Sequence, residues 1–143
     1  MIIERMINTD FHPVGMKETG ELFMKYHVPF TPLEKIQLLQ RSILVNSFAY
    51  YELNENILTD FQYDDNAKQL AELKKQHPDE FKRSSYHLYF HDYCSEEDDA
   101  HYTSGFDLLE RVRKNDNNLY RRLWIDATLA LDLKSKYGTG GIR

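Results

Sequence analysis

A mainly α fold is predicted by three features of the sequence. Two capping boxes each open a run of apolar residues at helical spacing, and a third such run lies near the C-terminus. The 143 residues suit one domain with a sizeable core. We divide residues 1–143 into a helical hairpin over 31–80, further helices over 105–136 and a flexible tail over 137–143, with extra elements on both sides of the hairpin.

Taken in order, His12-Pro13-Val14-Gly15 reads as a turn and Glu18 to Tyr26 as a short helix. Thr31-Pro32-Leu33-Glu34 then sets Thr at the N-cap, Pro at the first helical position and Glu at the third. The helix that follows carries Ile36, Leu39, Ile43 and Tyr50 on one side, with Leu44, Phe48 and Tyr51 beside it. Asn54-Glu55-Asn56 breaks the pattern. Thr59-Asp60-Phe61-Gln62 caps a second helix, continued by Tyr63, Ala67, Leu70, Ala71 and Leu73 until His77-Pro78 ends the run. Two helices joined by so short a loop form a hairpin. Residues 84–104 read as irregular. Helices are then expected from Phe106 to about Lys114 and from Asn118 to about Lys136, the second with Leu119, Leu123, Ala127, Ala130 and Leu131 on one face.

Charge and cysteine content narrow the function classes. Residues 51–101 hold thirteen acids against five bases, whereas residues 102–143 hold five acids against eight bases. An acidic middle lacks the continuous basic surface that a nucleic-acid footprint needs, so no nucleic-acid partner is expected. A single cysteine, Cys94, permits no intrachain disulfide. No apolar leader or membrane-length apolar run stands in the sequence, and a cytoplasmic protein without a membrane partner is expected.

The chemistry concentrates at the hairpin turn. Asp60, Tyr63 and Asp64 stand at i, i+3 and i+4, on one face of the second helix's first turn. Tyr50 and Tyr51 reach the same place from the end of the first helix. Aromatic faces beside two carboxylates suit a flat cationic ring that bears hydroxyl groups, such as an oxidised nicotinamide riboside. A plainer reading of the same residues is that the tyrosines pack in the hairpin and the aspartates cap the helix.

The stretch Tyr50-Tyr51-Glu52-Leu53-Asn54-Glu55-Asn56-Ile57-Leu58-Thr59-Asp60-Phe61-Gln62-Tyr63-Asp64 resembles the signature of the N-terminal Ia domain of bacterial NAD-dependent DNA ligases. That signature reads Tyr then His or Tyr, a short loop ending Ser/Pro-Asp-x-Glu-Tyr-Asp, and a helix ending His-Pro-Glu. The spacing holds without a gap through Leu70, Leu73 and His77-Pro78-Asp79, so the resemblance covers residues 34–80. It implies a small helical domain that grips the nicotinamide mononucleotide half of NAD, with Tyr50, Tyr51, Asp60, Tyr63 and Asp64 as the contacts. Tyr51 stands where many members have His, Gln62 replaces Glu, and Asn54 and Asn56 replace the loop's common Asp and Pro. The sequence contains no Lys-x-Asp-Gly, the motif of the adenylated lysine. One cysteine also falls short of a four-cysteine zinc site. A ligase activity of this chain alone is therefore not expected. The resemblance further implies weak binding by an isolated copy, and stand-alone chains of this kind resemble phage or prophage products.

Other groupings carry less. His87 and His91, four apart and followed by Asp92, Cys94 and His101, have metal-ligand spacing only on a helix, and a packed aromatic segment with incidental histidines is the favoured reading, so no metal is expected. Glu96 to Asp99 reads as a solvated run, Gly138 to Gly141 as a tail, and Arg111, Arg113, Lys114, Arg121 and Arg122 as a solvated basic face, with an acidic partner such as the acidic middle of a second copy as the next reading.

Three functions are weighed. The leading one is a non-catalytic module that binds NAD or nicotinamide mononucleotide. The alternative is a phage-type protein-interaction or inhibitory module that keeps the fold without the ligand and meets a protein partner through an exposed aromatic patch around Tyr86 to Tyr93, self-association being a further option. The third is an NAD-consuming enzyme in which the aspartates stabilise an oxocarbenium ion, though no activated nucleophile accompanies them.

Overall fold

The computed structural model describes residues 30–95 and 102–137. The expected helix at Glu18 to Tyr26, the acidic run at Glu96 to Asp99 and the tail at Gly138 to Gly141 lie outside them. Helix makes up 78% of the described residues and no strand occurs among them, which places the domain in the mainly α class.

Both capping boxes form as the sequence predicts. Thr31 Oγ1 accepts from the Glu34 amide at 3.1 Å, and Glu34 Oε1 accepts from the Thr31 amide at 2.9 Å, opening α1 (Pro32–Glu52). Thr59 and Gln62 repeat the exchange at 3.1 and 3.0 Å and open α2 (Asp60–Gln76). His77 caps α2, but Pro78 starts a further helix immediately, α3 (Pro78–Arg83), because proline suits a first helical position as well as it stops a preceding helix. A single turn, α4 (His87–Phe90), interrupts the stretch read as irregular. Then come α5 (Gly105–Asn115), capped by Ser104, and α6 (Asn117–Tyr137).

Helix α1 is the axis of the fold and packs against α2, α3, α5 and α6. Its residues Ile36, Leu39, Ile43, Leu44 and Phe48 meet Ala67, Leu70 and Ala71 of α2, Leu108, Leu109 and Val112 of α5, and Leu119, Leu123 and Ala127 of α6 in one core. Phe48 stands edge-on to Tyr120, with ring centroids 5.0 Å apart. Arg41 ties α1 to α6 by donating to Asp126 at 2.5 Å and to the Tyr86 hydroxyl at 3.3 Å.

The segment around Tyr86 to Tyr93 departs from expectation. In place of an exposed aromatic patch, Tyr89, Phe90 and Tyr93 are buried in the core, leaving Leu88 outside. The cause is the turn at α4, which directs Tyr89 and Phe90 inward together. Lys74 Nζ secures the segment by donating to the Tyr93 carbonyl at 2.9 Å. Among the described residues no three His, Cys, Asp or Glu side chains lie together as a metal-holding group; the His87 and His91 rings are 6.4 Å apart at their centroids.

Part of the basic face is paired rather than merely solvated. Arg111 grips Asp92 through both guanidinium nitrogens, at 2.7 and 3.0 Å, and Arg113 pairs with Glu110. The Arg111 hydrogen bonds hold the Asp92 carboxyl below its ordinary value of 3.8. A lowered folded-state value means the pair's stabilisation is complete above pH 3.8 and is lost as pH falls through that lowered value. Both side chains are partly exposed, which limits the effect to about 1 kcal/mol or less. Asp92→Asn should therefore flatten the acid limb of the stability curve slightly, read as a smaller shift in urea midpoint between pH 6 and pH 3. An unchanged acid limb would remove Asp92 from that account.

Candidate functional site

The turn between α1 and α2 is built by local sequence. Leu53 caps α1, and Asn54 takes a positive φ of 56°, a conformation asparagine adopts more readily than other side-chain-bearing residues. The Glu55 amide donates back to the Ala49 carbonyl at 3.0 Å, turning the chain sharply. Asn56, Ile57 and Leu58 then lead to the Thr59 cap. Lys134 Nζ, from the last turn of α6, donates to the Asn56 carbonyl and fastens the loop from outside.

Above this turn lies a cavity of about 330 Å³. Asn46, Ser47, Tyr50 and Tyr51 line it from α1, Asn56 to Leu58 from the loop, Asp60, Tyr63 and Asp64 from α2, and Tyr102 and Gly105 from the chain around the start of α5. All five residues singled out in the sequence thus border one cavity. No lysine or arginine is among the described lining residues.

Tyr50 and Tyr51 do not continue the buried stripe of α1. They are 54% and 45% exposed, because the helix has passed the end of the core by that point. Their rings stand edge-to-face with centroids 4.8 Å apart, and Tyr51 also meets Phe106 at 5.8 Å. Burial pushes the Tyr51 hydroxyl upward, with Tyr50 and Asp107 adding to the effect. Tyr51 therefore presents a neutral hydroxyl at pH 7, and both residues offer ring faces to the cavity.

Tyr63 is held differently. Its hydroxyl shares a 3.0 Å hydrogen bond with Ser47 Oγ. Burial pushes that phenol up to about 12, against a smaller opposing effect from the Ser47 bond. Gly105 lies directly against this pair. A Cβ at position 105 would stand 2.3 Å from Ser47 Oγ, 2.9 Å from Ser47 Cβ and 3.0 Å from the Tyr63 hydroxyl. The close approach of α5 to α1 therefore requires glycine there.

Asp60 and Asp64 are both exposed at the start of α2 and make no hydrogen bond or ion pair among the described residues. Asp60 stands in the first turn of α2, beside the positive end of the helix, and Asp64 one turn further on. They bring four carboxylate acceptor oxygens to a border whose other side chains are uncharged.

Ser47, Tyr102 and Gly105 were not singled out from the sequence. Ser47 had a usable signal, since it stands three and four residues before Tyr50 and Tyr51 on the same helical face. Tyr102 and Gly105 had none, because their approach to α1 is a matter of tertiary packing.

A family model described as the DNA ligase-like, N-terminal NAD+-binding domain matches residues 30–85. The resemblance drawn from the motif is thereby shown, over a stretch slightly longer than residues 34–80. The match contains α1, α2 and α3 and all five tyrosines and aspartates of the motif. Comparison with curated proteins found no match, and comparison with solved structures found none. No described helix is long and apolar enough to cross a membrane.

Proposed function

We propose that this chain is a non-catalytic module that binds an oxidised nicotinamide nucleotide in the cavity at the α1–α2 turn. The observation that carries the reading is the convergence of Tyr50, Tyr51, Asp60, Tyr63 and Asp64 on one cavity within a segment that matches an NAD+-binding family model. The cavity volume of about 330 Å³ is at the lower end of small-molecule pockets, which suits the nicotinamide riboside portion rather than a whole dinucleotide. The tyrosine rings supply faces for a cationic pyridinium, and the carboxylates of Asp60 and Asp64 accept from ribose hydroxyls.

Calorimetric titration of the full chain with nicotinamide mononucleotide should give saturable binding. Asp60→Asn and Asp64→Asn should each weaken it by about tenfold, the loss of one charge-assisted hydrogen bond. Reduced NADH, whose ring carries no positive charge, should bind less tightly than NAD. No heat with millimolar mononucleotide would end this proposal.

A second reading, self-association, is favoured by one surface. Trp124, Ile125 and Leu129 on the outer side of α6 are 58%, 65% and 56% exposed and continue into Leu133. Asp132 at the far end of the stripe is already paired with Lys136 at 3.3 Å, so the apolar stripe itself carries this reading, as the self-complementary patch of a two-fold pair of α6 helices. Sedimentation should then show a concentration-dependent dimer that Ile125→Glu abolishes. A monomer at all concentrations would exclude it.

A further inference from the structure

The family-matched segment, residues 30–85, supplies only part of the cavity wall. Tyr102 and Gly105 come from outside it and line the same space as Tyr50 and Asp60. Lys134, also outside it, holds the loop that carries Asn56, Ile57 and Leu58. Three separate points of the C-terminal half therefore bear on the cavity. Gly105 meets the Ser47–Tyr63 hydrogen bond, Tyr102 adds a fourth aromatic ring from another part of the chain, and Lys134 fixes the loop.

We propose that the C-terminal half completes the binding site in cis, with Tyr102 as a ligand-contacting wall and Lys134 as a positioning residue for the loop. This rests on the nicotinamide-nucleotide reading above. Tyr102 lines the cavity and is 39% exposed, so a ligand there can reach its side chain and its loss removes little core. An aromatic face against the pyridinium ring strengthens binding about two- to tenfold. The Lys134 bond acts at a distance: it restricts the loop before the ligand arrives, which reduces the ordering cost of binding.

The test is titration of the full chain with nicotinamide mononucleotide, using Tyr102→Ala, Tyr102→Leu and Tyr102→Phe, each checked for an unchanged melting transition. The alanine and leucine variants should lose two- to tenfold in affinity, and phenylalanine should keep it. If wild type binds and the leucine variant binds equally well, the aromatic wall is refuted while the nicotinamide reading stands. If wild type does not bind, the nicotinamide reading itself has failed. For Lys134, amide exchange at residues 54–58 should rise in Lys134→Ala, with weaker mononucleotide binding, and Lys134→Arg should restore both. Exchange that stays at the wild-type rate in the alanine variant would overturn the positioning role.

Discussion

Gly105→Ala should destabilise the domain by about 1–3 kcal/mol, the usual cost of overpacking a close contact. The sign is informative, because glycine to alanine at a helical position ordinarily stabilises by about 0.4–1 kcal/mol through the unfolded chain. Here the added Cβ would stand 2.3 Å from Ser47 Oγ and 2.9 Å from Ser47 Cβ. Rotating the hydroxyl away relieves the first contact only, and it breaks the 3.0 Å bond to Tyr63. The steric term therefore wins. Nicotinamide mononucleotide binding should fall with stability, since the same movement displaces the Tyr63 wall. Introducing Ser47→Gly first removes both crowding atoms, so Gly105→Ala should cost much less in that background, and denaturant melts of the four proteins give the coupling. Equal costs in both backgrounds would show that the contact is not what limits position 105.

Phe90→Ala should have the largest effect on stability, about 3–5 kcal/mol. Phe90 is fully buried, and its ring lies 5.3 Å from that of Tyr93, so truncation opens a cavity among groups that relax only partly. Whole domains are stable by about 5–15 kcal/mol, so the variant should melt about 10 °C or more lower. Leu88→Ala, two residues away and exposed, should change stability by about 0.5 kcal/mol at most. Comparable losses for the two variants would mean that α4 does not anchor the core.

The pair also shows where sequence reasoning reached and where it stopped. Thr31, Thr59 and the helical spacing after each are local signals, and both caps and both long helices could be read from them. The five tyrosines and aspartates were equally accessible, because helical periodicity and one short loop are enough to place them near each other. Phe90 was not. Between Tyr86 and Tyr93 the pattern fits a strand and a helical turn equally well, and only packing against α3 and α5 decides which rings go inside. Tyr50 shows the opposite limit. Periodicity assigns it to the buried side of α1, but periodicity does not say where the core ends. Gly105 and Tyr102 depend on contacts between residues far apart in the chain, which no local pattern encodes.

The bond from Lys134 to Asn56 spans 78 residues of sequence. Such a contact has a consequence for the order in which the protein becomes competent. Synthesis delivers the two aspartates and their tyrosines well before Lys134, and closing so long a loop carries a larger entropic cost than forming the hairpin. The hairpin can thus exist early in the life of the chain, whereas the fastened loop belongs only to the finished molecule. A nascent chain halted before α6 carries every residue of the motif and still lacks the restraint that shapes its mouth.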